Sequence, residues 1–196
     1  MPSSGADDHV LSATLERLWS PPVAVTAAHG GRANGLIAST AVSASLLPEA
    51  PRVAIVLAKA SFTHDLVLAS GALAVHLLPA TPDSALERSL EIFRLLGMRS
   101  GHDGDKLESV PHRRGVTGSP VLDEALSYVE ARVASSSNAG DVTVVVAGVV
   151  AGEVLRDGAP LTIDLVQDRL PAQWLREWEE RRVHEIAAAR LRRETG

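Results

Sequence analysis

The stretch from residue 21 to residue 78 restricts the fold of this chain more than any other part of it. Four segments rich in β-branched residues follow one another there, separated by Gly, Pro, Asn or Asp residues. Each segment predicts a strand, and the four strands cover residues 21–28, 34–46, 51–59 and 71–78. Residues 29–35, HGGRANG, supply glycines and an asparagine for a tight turn, so the first two strands are predicted to form a hairpin.

One helical pattern precedes these four strands, one lies between the third and the fourth, and two follow them. The spacing of apolar residues predicts helices over residues 9–19, 61–70 and 81–97, and a long charged helix after Pro171. Two more strands are predicted around residues 126–136 and 141–155. Because helices and strands do not alternate regularly, the pattern favours a mainly antiparallel sheet closed into a barrel, with the helices packed outside it.

Composition and charge narrow the classes of function. The chain has 196 residues, 45% of them hydrophobic, which suits one globular domain. With 19 Lys and Arg against 24 Asp and Glu, the formal charge of -5 makes nucleic acid a poor candidate partner. Cysteine is absent, and no run approaches the roughly 18 apolar residues of a membrane span. The first eight residues hold two aspartates and no basic residue, so we expect a cytoplasmic protein without a secretory signal.

Several familiar site motifs are missing from the sequence. It contains no GxGxxG between a strand and a helix and no GxxxxGK[ST], so a Rossmann enzyme or a P-loop nucleotidase is not supported. Seven histidines occur without an HExxH pattern, and no GxSxG marks a hydrolase nucleophile. We therefore expect neither a metal site nor a catalytic triad.

Two nearby segments carry polar side chains that suit a phosphate-bearing ligand. The second predicted strand contains the hydroxyls of Ser39, Thr40, Ser43 and Ser45. A helix is predicted to begin in the segment that contains Lys59, Ser61, Thr63 and His64. Free amides, hydroxyls and a lysine at a helix N-terminus all favour a phosphate. The alternative is that the strand hydroxyls face solvent and that Ser61 and Thr63 merely cap the helix.

Three runs of the sequence resemble one known family, in the same order. The run PPVAVTAAHGGRANGLIASTAVSASLLPEAPRVAIVLAKASFTHDLVLASGALAVHLL resembles the opening half of the flavin reductase-like FMN-binding split barrels, which include reductase components of two-component flavin monooxygenases and flavoredoxins. GDKLESVPHRRGVTGSPVLDEALSYVEARV resembles the middle segment of that family, and VVVAGVVAGEVLRDGAPL resembles its closing strand and the turn after it.

The resemblance implies a mainly β fold with added helices. The expected architecture is a split β-barrel, antiparallel and Greek-key-like, with peripheral helices and a long C-terminal helix. The expected regions are an N-terminal helix over residues 1–19, an FMN-binding barrel over residues 20–163 and a C-terminal helical extension over residues 164–196.

A flavin site is implied by the same resemblance. The ring edge of FMN, with FAD as the alternative flavin, is expected along Ala38, Ser39 and Thr40. Asn34 and Gly35 are expected to shape the turn before the ring. Ser43 and Ser45 are expected at the ribityl chain. The phosphate is expected at Lys59, Ser61 and Thr63, with His64 beside them.

The implied activity is hydride transfer from NADH or NADPH to the flavin N5 atom, with no side chain needed as a general acid or base. A homodimer is implied because the family forms its site at a twofold interface, and the partner that takes up reduced flavin would be a separate flavin-dependent monooxygenase. The apolar stripe of the last helix is an independent reason to expect association. Arg113, Arg114 and Lys106 offer charges for a nicotinamide phosphate, although loop charges are commonly only solvated.

Two departures from the family pattern leave alternatives open. Many reductases of the family have Gly-Asp-His before the closing strand, and this chain has Gly140-Asp141-Val142. An FMN-binding or electron-carrying protein without NAD(P)H reductase activity is therefore one alternative, and an interaction module that has lost its ligand is another. The last helix exceeds what the barrel needs, so it is expected either to pack in a dimer or to cover the site of a neighbouring subunit.

Overall fold

A single curled antiparallel sheet dominates the computed structural model, which describes residues 20–102 and 104–195. The nine described strands are β1 (Val23–His29), β2 (Arg32–Ala38), β3 (Ala41–Ser43), β4 (Arg52–Ala58), β5 (Ala72–Leu77), β6 (His112–Arg114), β7 (Pro120–Leu122), β8 (Ser127–Ala139) and β9 (Val142–Val154). Seven of them form the sheet in the order β2-β1-β5-β8-β9-β4-β3, while β6 and β7 pair separately. This arrangement confirms the predicted mainly β, antiparallel fold. The helix predicted over residues 9–19 lies outside the described residues.

The β1–β2 hairpin turns more tightly than the sequence predicts. Gly30 and Gly31 form the whole turn, with φ angles of 57° and 77° that suit a two-residue hairpin loop. Asn34 and Gly35 therefore do not shape the turn; they lie inside β2, where they pair with β1. The single strand predicted over residues 34–46 is also interrupted, because the chain leaves β2 after Ala38 and begins β3 at Ala41.

Four described helices accompany the sheet: α1 (Phe62–Ser70), α2 (Asp83–Gly97), α3 (Ile163–Arg169) and α4 (Ala172–Thr195). The Ser61 hydroxyl caps α1 by accepting a hydrogen bond from the Thr63 amide (3.2 Å), and Gly71 ends the helix at a φ of 64°. The structure confirms the predictions for α1, α2 and α4, while α3 is an addition. Within the described ranges, no helix combines the length and the apolar content required to cross a bilayer.

The apolar side chains form two cores, one on each face of the sheet. The barrel interior is filled by small and branched side chains such as Val25, Ile55 and Leu73. The second core lies between the sheet and the helices, and it joins Phe93 and Leu96 of α2 to the tryptophans of α4. As a result, α4 packs against the barrel of its own chain.

The β6–β7 hairpin forms in a segment whose sequence predicts only a charged connection. Two buried polar groups attach it to the sheet. His76 Nδ1 donates to the Ala24 carbonyl (3.0 Å), and its Nε2 accepts from the Leu122 amide (3.2 Å). The Glu130 carboxylate accepts from the Thr117 amide (2.8 Å) and hydroxyl (2.7 Å) and from the Val116 amide (3.0 Å).

The two groups titrate differently because their partners differ. Burial lowers the pKa of His76 to about 4, and the hydrogen bond to Ala24 offsets this only in part. Burial raises the pKa of Glu130, but the hydrogen bonds from Thr117 and Val116 outweigh that effect and hold the pKa below its usual value. His76 is therefore neutral and Glu130 ionised near neutral pH.

Candidate functional site

A cleft of about 320 Å³ opens where β2 gives way to β3. The beginning of α1 and the side chains of α2 and α4 complete its walls. Its lining residues are Pro22, Leu36, Ile37, Ala38, Ser39, Thr40, Val56, Ala58, Ser61, Phe93, Leu96, Gly97, Lys106, Val142, Ile163, Trp178 and Arg181. We call this space the central cleft.

One edge of the central cleft is the segment that interrupts the sheet. Ala38 is buried, and the next two residues, Ser39 and Thr40, are exposed. The segment is held in place through its carbonyls: Ser20 Oγ donates to the Ser39 carbonyl (3.0 Å), and the Val56 amide donates to the Thr40 carbonyl (3.2 Å). Ala38, Ser39 and Thr40 thus form a narrow shelf of small side chains along the cleft.

The beginning of α1 contributes only part of what the sequence predicts. Ser61 lines the central cleft. Thr63 is fully buried behind it, where its hydroxyl donates to Asn34 Oδ1 (3.3 Å). His64 is also buried, and its ring nitrogens contact Thr143 Oγ1 (2.9 Å) and Asp65 Oδ1 (3.0 Å). Thr63 therefore supports β2 and His64 supports β9, and neither is among the lining residues of the cleft.

Lys59 and Gly35 also lie outside the lining of the cleft. The Lys59 ammonium donates to Asn138 Oδ1 (2.6 Å) next to the β8–β9 turn. The Gly35 carbonyl accepts from Lys106 Nζ (3.0 Å), and a side chain at position 35 would press on Leu96. Gly35 therefore permits α2 to approach β2 closely, which places the α2 wall of the cleft.

The hydroxyls of Ser43 and Ser45 lie outside the lining of the central cleft. Ser43 faces a separate groove of about 180 Å³ that also contains Tyr128 and Val42. Ser45 forms a local turn in which its hydroxyl accepts from the Leu47 amide (3.1 Å). Of the eleven site residues predicted from the sequence, the structure brings Ala38, Ser39, Thr40 and Ser61 together in the central cleft.

Lys106 is a cleft residue whose role the sequence does not reveal. It is only 5% exposed, and its ammonium donates to the carbonyls of Leu96 (2.7 Å) and Gly35 (3.0 Å). Its charge is thus fixed beneath the cleft and is not a solvated loop charge. Nothing in the local pattern GDKL could signal this, because both acceptors are remote in sequence.

The last helix supplies two further lining residues, Trp178 and Arg181. The sequence predicts the helix and its apolar stripe, of which Trp174, Leu175 and Trp178 pack on the same chain while Val183 and Ile186 are exposed. The spacing of Trp178 and Arg181, three positions apart, is the signal that places them on one helical face. Val142, the position at which the family pattern has histidine, also lines the cleft.

The electrostatic character of the central cleft opposes that of the whole chain. The formal charge of the chain is -5, yet the charged residues among the described lining residues are Lys106 and Arg181, both basic. Apolar walls lower the local dielectric and strengthen their field. The cleft therefore favours a ligand that carries negative charge. Among residues 20–102 and 104–195, no group of three or more His, Cys, Asp or Glu side chains could hold a metal ion.

Comparisons with known proteins identify the family and support the fold. The family model described as "Flavin reductase like domain" matches residues 15–167. A curated relative, the ferric-chelate reductase (NAD(P)H) of Archaeoglobus fulgidus, is 32% identical over 139 residues, which is 70% of this chain and 78% of that protein.

Two solved structures share the fold. Nitrilotriacetate monooxygenase component B from Mycobacterium thermoresistibile superposes with a TM-score of 0.67 at 22% identity, over 81% of this chain and 83% of that chain. An NADH:FAD oxidoreductase from Streptomyces globisporus gives a TM-score of 0.67 at 21% identity, over 83% of this chain and 92% of that chain.

Proposed function

The chain belongs to the flavin reductase-like family, as its sequence motifs predict, and from this premise we propose that it transfers a hydride from NADH or NADPH to FMN held in the central cleft. The protein is an oxidoreductase of a family with NAD(P)H-dependent members. The observation that carries the proposal is the basic, apolar-walled cleft between the Ala38–Thr40 shelf and the capped beginning of α1.

The residues present fit a flavin. The volume of about 320 Å³ lies at the lower end of the roughly 300 to 1,000 Å³ of small-molecule sites. The small side chains of the shelf would let a flat ring approach the backbone, and Ser61 at the N-terminus of α1 would meet the phosphate. Lys59, Thr63 and His64 are near Ser61 in sequence and remain part of this proposal, with Thr63 and His64 in a supporting position.

Each wall of the cleft has a separate task in the proposed reaction. When bound, the flavin supplies the hydride-accepting N5 atom, and negative charge develops on its ring as it is reduced. Lys106 and Arg181 stabilise negative charge in the cleft, because preorganised positive groups act strongly where water is excluded. Phe93, Leu96 and Trp178 exclude that water.

A second candidate function follows from Val142. Its side chain lines the central cleft, where an imidazole in other members would be available to nicotinamide or flavin. A protein that binds FMN but accepts hydride only slowly from nicotinamide is consistent with this replacement. In that case the chain would serve as an electron-carrying flavoprotein.

We also propose a homodimer and a separate monooxygenase that uses the reduced flavin. Support for the dimer comes from the apolar side chains exposed on and after β3, namely Val42, Leu46 and Leu47, of which Leu46 is fully exposed. Support for the monooxygenase comes from the similar fold of a protein named as component B of a monooxygenase. Sedimentation of the purified protein tests the dimer.

One spectroscopic experiment tests the activity. The protein is titrated with FMN and then with FAD, and the absorbance of bound flavin is followed under anaerobic conditions after addition of NADH or NADPH. Bleaching faster than that of free flavin supports the reductase. Bound flavin that stays oxidised selects the electron carrier, and absence of flavin binding refutes both.

A further inference from the structure

The C-terminal helix α4 contributes two side chains to the central cleft of its own subunit. Trp178 and Arg181 are three residues apart, so they project from the same face of the helix. The adjacent Arg182 is not among the lining residues of the central cleft and lines a second cavity of about 300 Å³, to which Trp178 also contributes. The helix therefore presents one aromatic ring and one guanidinium to the cleft.

Contacts with α2 fix the position of this helical face. The Trp178 ring meets the edge of Phe93, with centroids 5.5 Å apart and planes inclined by 84°. One turn earlier, the Arg94 guanidinium lies 4.3 Å from the centre of the Trp174 ring and 3.8 Å from a Glu177 carboxylate oxygen. Because these contacts involve neither the shelf nor α1, they hold Trp178 and this part of α4 in place independently of any ligand.

Arg181 is the cation that α4 contributes to the lining of the central cleft. Arg181 is half-buried at the wall, and a guanidinium binds phosphate oxygens in a planar, two-pronged geometry. Arg113, which the sequence offers for the same task, lies outside the cleft lining and pairs with Asp123 (2.9 Å).

We propose that Trp178 and Arg181 form a ligand-binding wall of the central cleft, in which Trp178 contacts the flat ring of bound flavin and Arg181 binds a phosphate. This inference rests on the proposed function. The phosphate belongs either to the flavin or to the nicotinamide dinucleotide, since both ligands combine a flat ring with a phosphate. On this basis α4 is a binding element and not merely a packing element.

The aromatic contact is tested by the fluorescence of bound FMN. A tryptophan in van der Waals contact with a flavin quenches its emission by electron transfer, and the quenching weakens steeply as the two rings separate. Trp178→Phe keeps an aromatic ring against Phe93 and should make bound FMN emit more brightly. Trp174→Phe is the matched control, because Trp174 packs under Arg94 and does not line the cleft. It should leave the bound flavin as dark as in the native protein.

The cation is tested with Arg181→Gln, and Arg182→Gln serves as the control on the neighbouring position. Loss of one charge-assisted hydrogen bond should weaken binding by about 10-fold to about 100-fold. A rise in the Kd for FMN assigns Arg181 to the flavin phosphate. An unchanged Kd with a raised KM for NADH or NADPH assigns it to the nicotinamide dinucleotide. Either result supports the proposal when Arg182→Gln has no such effect.

The outcomes separate the inference from the function on which it rests. If the native protein binds FMN, yet Arg181→Gln changes neither constant and Trp178→Phe leaves the emission quenched, the inference is overturned while the proposed function stands. If the native protein binds no flavin, the proposed function fails and the inference fails with it. Thermal unfolding of each variant, followed by circular dichroism, distinguishes a lost contact from a lost fold.

Discussion

Acidification should weaken this fold through His76, which is buried completely between the sheet and the β6–β7 hairpin. Its ring donates to one backbone carbonyl and accepts from one backbone amide, so only the neutral form satisfies both bonds. Burial lowers the pKa from 6.5 to about 4. Because one pKa unit corresponds to about 1.4 kcal/mol, the fold should lose about 3 kcal/mol of stability in acid.

The sign and the pH window follow from proton linkage. As the pH falls below 6.5, the unfolded chain takes up a proton at His76, whereas the folded chain does so only near pH 4. The unfolded state therefore binds more protons within this window, and the free energy of unfolding decreases as the pH falls. The contribution of His76 is fully present above about pH 6.5 and is lost by about pH 4.

Urea unfolding measured by circular dichroism at intervals between these pH values provides the assay. His76→Gln is the comparison, since its amide can donate to Ala24 and accept from Leu122 without titrating. We expect the variant to be less stable near neutral pH and its stability to depend less on pH. Glu130, whose pKa is held low, adds an acid-sensitive contribution to both proteins at the lower end of the range. Parallel curves for the two proteins would refute the reasoning.

Three further predictions concern single contacts. Gly115→Ala places a methyl group against the buried Glu130 carboxylate and should cost about 1 to 3 kcal/mol in urea unfolding; an unchanged midpoint would contradict this close approach. Ser61→Ala should remove a helix cap worth about 1 kcal/mol and also weaken FMN binding; an unchanged free energy of unfolding together with an unchanged Kd for FMN would contradict both roles. Lys106→Met leaves two carbonyl acceptors without their donor and should lower the free energy of unfolding by about 1 to 3 kcal/mol; full stability of this variant would show that the ammonium is dispensable.

The sequence predicts regular elements well where local patterns determine them. Alternating β-branched segments give β1, β4 and β5, and the serine before residue 62 with the glycine after residue 70 gives both ends of α1. The break after Ala38 is not predictable in this way, because β-branched and small residues continue through it. Only the pairing of β3 with β4 reveals that the strand is divided.

The candidate site is less visible in the sequence because its polar groups depend on remote partners. The sequence predicts Asn34 as a turn residue, yet it is buried in β2, where its Oδ1 accepts a hydrogen bond from the Thr63 hydroxyl of α1. The sequence around Lys106 predicts a solvated loop charge, yet its side chain is buried and its ammonium donates to carbonyls of β2 and α2. In both cases a local propensity is overridden by a tertiary hydrogen bond that no sequence spacing encodes.

The docking of α4 on its own barrel means that the walls of the central cleft come from both ends of the described chain, from Pro22 to Arg181. A molecule that fills the cleft therefore bridges the first hairpin and the last helix. By mass action, such a molecule stabilises the state in which the two are joined. Occupancy of the cleft and docking of α4 on the barrel are thus thermodynamically linked.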